Sequence, residues 1–102
     1  MQAETMWTSL RQAVHETEGF YLRLSDDASP VQAVLLFFQH GVVALLVMIG
    51  KDSKPTPKQI ARIERFRDYG TPVYYAGSHE GIYTAVVAAA QNYDLGVNNC
   101  YP

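Results

Sequence analysis

A chain of 102 residues with 48% hydrophobic, 12% aromatic and 18% charged side chains has the material for one packed core. That hydrophobicity excludes a mainly disordered chain, and a formal charge of −2 excludes a protein that coats nucleic acid through bulk charge. Cys100 is the one cysteine, so neither an intramolecular disulfide nor a cysteine-built zinc or iron–sulfur site is expected. Such cysteine usage suits a reducing compartment, and no apolar leader opens the chain between Met1 and Leu10. The expectation is a soluble cytoplasmic protein without cofactor or metal.

Ala3, Met6, Trp7, Leu10 and Val14 recur at helical spacing, with Gln2, Glu4, Ser9, Arg11 and Gln12 off the stripe; Gly19 ends this helix. Phe20 to Leu24 alternates as a half-exposed strand, with Phe20, Leu22 and Leu24 on one side and Tyr21 and Arg23 on the other. Ser25 to Pro30 is a turn by composition. Ala33 to Phe38 and Val42 to Ile49 lack polar alternation, which predicts central strands covered on both faces. Gln39-His40-Gly41 joins them as a hairpin, and these residues would lack partners at the centre of a bilayer. After a loop over Lys51 to Pro55, Thr56, Pro57 and Gln59 spell a capped helix start, with Ile60, Ile63 and Phe66 as its buried stripe and Gly70 and Pro72 as its stop. Val73 to Ala76 is a short strand. Ser78 caps a last helix with Ile82, Ala85, Val86, Ala89 and Tyr93 facing inward. The fold class is α/β, in the order α-β-β-β-α-β-α, with a mixed sheet bearing helices on its faces. One domain over residues 1–94 is followed by a tail over 95–102.

Chemistry-bearing residues are sparse. His15, Glu16 and Glu18 are spread around a helix end, Asp26 and Asp27 stand in a turn, and His40 and His79 each stand alone. Gly77 to Gly81 offers a helix start for an anion but no lysine to complete a phosphate loop. Charge is more informative. Lys51, Lys54, Lys58, Arg62, Arg65 and Arg67, six of the eight basic residues, set against Asp52, Glu64 and Asp68 give one stretch a local +3 and leave −5 elsewhere. Lys58, Arg62 and Arg65 follow i, i+4, i+7 spacing and form a stripe able to meet phosphates or an acidic protein surface. Seven tyrosines exceed what so small a core can bury, which makes Tyr74, Tyr75 and Tyr83 candidate interface anchors.

The element order, together with Gly50-Lys51-Asp52-Ser53-Lys54-Pro55-Thr56-Pro57-Lys58-Gln59 and the helix, Gly70 and strand that follow, resembles the virus-type replication-repair nuclease family (VRR-NUC). That family is a branch of the PD-(D/E)XK restriction-endonuclease-like nucleases. In its pattern a strand ends in Glu-x-Lys, a Lys/Gly-rich loop follows, and Ser/Thr-Pro-x-Gln opens a helix. The resemblance runs roughly from Gly19 to Ala90. Counting back from Gln59, it places the metal-binding Glu on Val47 and the catalytic Lys on Ile49. The preceding Asp falls within Val31 to Val34, with Val34 taken as its position. Sliding the register by one or two residues meets only Leu45, Leu46, Met48 and Gly50. Valine and isoleucine can neither hold a divalent cation nor assist an attacking water.

The resemblance, with these departures, implies a nuclease fold without catalytic residues, of the stand-alone type found in phages and mobile elements. The expected role is non-enzymatic binding, with a protein partner favoured by the negative net charge, and inhibition of host nucleic-acid-processing or defence machinery in the manner of an anti-CRISPR protein. The alternatives are a nucleic-acid binder acting through Lys54, Lys58, Arg62 and Arg65, or a metal-dependent nuclease with relocated ligands. Exposed aromatics could also join two copies as a homodimer. No membrane partner is expected.

Overall fold

The computed structural model describes residues 3–24 and 30–91, and its elements follow the expected order. They are α1 (Ala3–Glu16), β1 (Phe20–Arg23), β2 (Val31–Phe37), β3 (Val43–Ile49), α2 (Pro57–Asp68), β4 (Val73–Ala76) and α3 (His79–Ala90). The strands form one sheet in the order β1-β2-β3-β4, with β3 and β4 parallel and the other pairs antiparallel. A parallel pair needs a connection that returns along the sheet, and α2 supplies it.

Local chemistry fixes the connections. The Thr56 hydroxyl accepts from the Gln59 backbone N–H at 3.1 Å, and the Gln59 side chain accepts from the Thr56 N–H at 2.8 Å, closing the capping box of α2. Gly70 lies just past that helix with φ +93, and Gly41 closes the 3₁₀ turn Gln39–Gly41 with φ +76. Gly19 follows α1 for a different reason. A Cβ there would stand 2.7 Å from both the Phe37 carbonyl oxygen and the Phe38 ring, too close for any side chain.

Two unequal layers flank the sheet. On one face α1 and α3 bring Met6, Leu10, Ala13, Val14, Ile82, Ala85 and Val86 against Val34, Leu36, Leu46 and Met48. On the other, α2 covers Leu45, Val47, Ile49, Val73 and Tyr75, with Ile63 as its buried residue. β3 is accordingly buried from Ala44 to Ile49, as its unbroken apolar run predicts. Full cover does not extend to β2, whose Ala33, Leu35 and Phe37 are only half-buried, because α2 stops short of that end of the sheet.

β1 shows the same asymmetry more strongly. Its register sets Phe20 opposite Phe37 and Leu22 opposite Leu35, on the α2 side, where Phe20 is 63% exposed and Leu22 54%. Tyr21 and Arg23 face α1 instead. The predicted inward stripe of α2 is also narrower than its spacing implies, since Ile60 is 41% exposed at the helix edge. Ser9, expected off the inward stripe of α1, is buried. None of the described helices is long and apolar enough to cross a membrane. The boundary at residue 94, the tail, Tyr93, Cys100, Asp26 and Asp27 lie outside the described residues.

Candidate functional site

The positions to which the resemblance assigns catalysis are filled with packed hydrocarbon. Val47 and Ile49, two apart on β3, point toward α2 and are buried with Ile63 in one apolar cluster. Val34 does not join them. It pairs with Leu46 and belongs to the cluster beneath α1 and α3, so its side chain lies on the opposite face of the sheet. The β2 residues that share the face of Val47 and Ile49 are Ala33, opposite Val47, and Val31, opposite Ile49. Correcting the third position from Val34 to Val31 or Ala33 still supplies no oxygen ligand. A divalent cation takes hard oxygen donors, which these four side chains do not offer. Among the described residues no three His, Cys, Asp or Glu side chains gather around a common point. Asp52 lies beyond β3 in the loop, with φ +60.

Polar chemistry near this cluster is confined to its rim. The Tyr75 hydroxyl donates to Glu64 at 2.9 Å, and Arg67 donates to the other oxygen of Glu64 at 3.1 Å and to the Val73 carbonyl at 3.2 Å. These bonds tie the C-terminal part of α2 to β4, and they engage Arg67, one of the six cations of the basic stretch. Lys54, Lys58, Arg62 and Arg65 remain exposed, the last three along the outward side of α2 as the spacing predicts.

The tyrosine expectation needs correction. Tyr74 and Tyr75 are buried, at 3% and 8% exposure, because β4 is sandwiched between α3 on one face and α2 on the other although it is an edge strand. Neither can anchor a partner. Tyr83 is exposed, and its hydroxyl donates to Glu16 at 3.2 Å. That hydrogen bond first, then the carboxylate's charge, then slight desolvation hold the Tyr83 phenol above its ordinary pKa.

The fold also separates residues that are close in sequence and joins others that are distant. Glu16 turns to Tyr83 and Glu18 accepts from Gln39 at 3.5 Å, so the acids beside His15 do not converge. The Ser78 hydroxyl caps Gly81 at 3.0 Å, taking one donor of the helix start that could hold an anion. His79 is exposed but not alone: its Nδ1 shares a hydrogen bond with Ser9, 70 residues earlier. Sequence spacing carries no signal for that pair. The same holds for Trp7, whose ring meets Tyr21 and Arg23 across the gap between α1 and β1.

No family model matches the chain, and no curated protein does. Among solved structures, one described as a VRR_NUC domain superposes with a TM-score of 0.55 at 24% identity, over 88% of this chain and 98% of that one. Element order and this likeness agree, and the chain carries the nuclease-like α/β fold of a VRR_NUC domain.

Proposed function

We propose that this chain acts by binding a protein partner rather than by cleaving nucleic acid. The observation that carries this reading is the apolar packing of Val31, Ala33, Val47 and Ile49 beneath α2, where the resemblance calls for cation ligands and a lysine. An ionised carboxylate in that cluster would cost several kcal/mol of desolvation without a cation to offset it, roughly. The same face supports a protein as the target. Exposed Phe20 and Leu22 point to the α2 side of the sheet, with exposed Leu24 just past β1, so one side of the molecule presents an apolar strand face together with the basic outer surface of α2. Apolar area joined to charge suits a partner that offers acidic side chains around a hydrophobic patch. Inhibition of host nucleic-acid-processing or defence machinery by a phage or mobile-element protein is the concrete form of this proposal.

A second reading, nucleic-acid binding, is favoured by the stripe Lys58, Arg62 and Arg65 with Lys54 beside it, all exposed. The test begins with fluorescence anisotropy on linear, single-stranded and branched DNA at two salt concentrations, with and without manganese. The protein reading expects no cleavage and no binding that weakens steeply with salt. It also expects a partner captured by the wild-type chain to be lost both on changing Lys58, Arg62 and Arg65 to Glu and on changing Phe20 and Leu22 to Ser. Cleavage that chelator abolishes would overturn the reading. Salt-sensitive DNA binding lost with the charge reversal would establish the second.

A further inference from the structure

The two basic residues outside the 51–67 stretch converge on the side of the sheet opposite α2. Arg11 of α1 and Arg23 of β1 line one cavity of about 320 Å³ with Trp7, Thr8 and Tyr21. Tyr21 and Arg23, two apart on a strand, project to the same side, toward α1. Trp7 reaches across both: its ring stacks on Tyr21 with centroids 6.0 Å apart and 25° between planes, and the Arg23 guanidinium carbon lies 4.1 Å from the Trp7 centroid. The indole is thereby held in place before any ligand arrives, which lowers the ordering cost of binding. Arg11 is exposed at the cavity wall, while Arg23 is already engaged by the Trp7 ring.

A fixed aromatic platform that shares one cavity with the Arg11 guanidinium has a definite complement. Rings stack on tryptophan and tyrosine with little dependence on ring identity, and arginine takes phosphate through paired N–H donors. The volume is at the lower end of the roughly 300–1,000 Å³ of small-molecule sites, which suits one nucleotide and not a run of them. We infer that this cavity binds a nucleoside phosphate, with the base against Trp7 and the phosphate on Arg11. The ligand is either a free nucleotide or the terminal residue of a single strand. The site is independent of the α2 surface, from which the sheet separates it.

Trp7 is the chain's one tryptophan, so stacking in the cavity reads out as quenching of intrinsic fluorescence. The intact chain is titrated with AMP, adenosine, inorganic phosphate, phenyl phosphate and a terminally phosphorylated oligothymidine. Saturable quenching by AMP is expected, with adenosine and phosphate alone each weaker by about tenfold or more. Arg11→Ala should weaken AMP by about tenfold, whereas Lys51→Ala, in the exposed loop after β3, should leave it unchanged. Equilibrium dialysis with labelled AMP gives the same comparison for Trp7→Leu, which removes the platform; Arg11, on the surface, keeps the test valid if that variant fails to fold. Tighter binding of the oligonucleotide than of AMP makes a strand end the source, and equal binding makes it the free nucleotide. Saturation by neither at millimolar concentration would overturn the inference, as would AMP binding indifferent to Arg11→Ala or phenyl phosphate binding as tightly as AMP.

Discussion

Val47→Glu restores the acid that the family pattern calls for, and the packing around position 47 sets what it should cost. Val47 is fully buried on the central strand β3, flanked in the sheet by Ala33 and Tyr75 and covered by the cluster that contains Ile63. The longer side chain overfills that space, a cost of about 1–3 kcal/mol. Its charge adds a second cost. A buried glutamate titrates far above its ordinary value of about 4.3, as high as roughly 8–9, and each unit of difference is worth about 1.4 kcal/mol. Because the folded pKa is the raised one, the charge penalty is absent below about pH 4, grows as pH rises, and levels off above the folded value. At pH 7 it reaches about 3–4 kcal/mol. Together the two costs consume much of the roughly 5–15 kcal/mol that stabilises a domain of this size. Urea unfolding of Val47→Glu and Val47→Gln at pH 5 and pH 7 separates them, since the amide carries the steric cost without the charge. The gap between the two variants should widen by about 2–3 kcal/mol over that interval. A gap below about 1 kcal/mol at pH 7, or its closure on adding manganese, would refute the reasoning by showing that position 47 meets water or a cation-ready site.

Three further outcomes follow from single contacts. Gly19→Ala forces a Cβ to within 2.7 Å of the Phe37 carbonyl oxygen and should destabilise the domain by about 1–3 kcal/mol in urea unfolding, with the backbone of β2 unable to yield. Thr56→Ala removes the hydroxyl that accepts from Gln59 and should cost about 1 kcal/mol in the same assay, while Thr56→Ser should cost much less. The Tyr83 phenol should ionise above the ordinary tyrosine range of about 10, and Glu16→Gln should bring it back down in an ultraviolet pH titration. The sign is that of a raised folded pKa: the Tyr83–Glu16 contact contributes below the ordinary tyrosine pKa and is lost as pH climbs through the folded value.

The parts of this fold that the chain spells locally are legible in its sequence. Thr56, Pro57 and Gln59 determine the start of α2 within four residues, and the unbroken run Val42 to Ile49 marks the strand Val43–Ile49, closed on both faces from Ala44 onward. The errors all involve a distant partner. Alternation in β1 separates Phe20 and Leu22 from Tyr21 and Arg23, but which side is covered depends on where α1 and α2 settle. The resemblance puts its first acid at Val34, and the one-residue step from Ala33 to Val34 turns that side chain away from Val47 and Ile49 to the other face. Tyr74 and Tyr75 look like surplus aromatics in the sequence and are buried by helices that precede and follow them. The Arg11–Arg23 cavity has no motif because its walls come from a helix and a strand whose meeting is a tertiary event.

Among the described residues, side-chain bonds join α1 to α3 at two places: Ser9 with His79, and Glu16 with Tyr83 farther along both helices. α1 thus completes its seat only against α3, the last of the described helices. From Glu16 to His79 the chain advances 63 positions, and a ribosome adding roughly 5–20 residues per second needs about 3–13 s to cross them. Until α3 is made, Met6, Leu10 and Val14 lack the cover that Ile82, Ala85 and Val86 supply. α2, by contrast, follows β3 directly and meets β4 within a few residues of its own end. Synthesis should therefore leave the α2 side formed early and the α1 side waiting, with closure set by the emergence of α3.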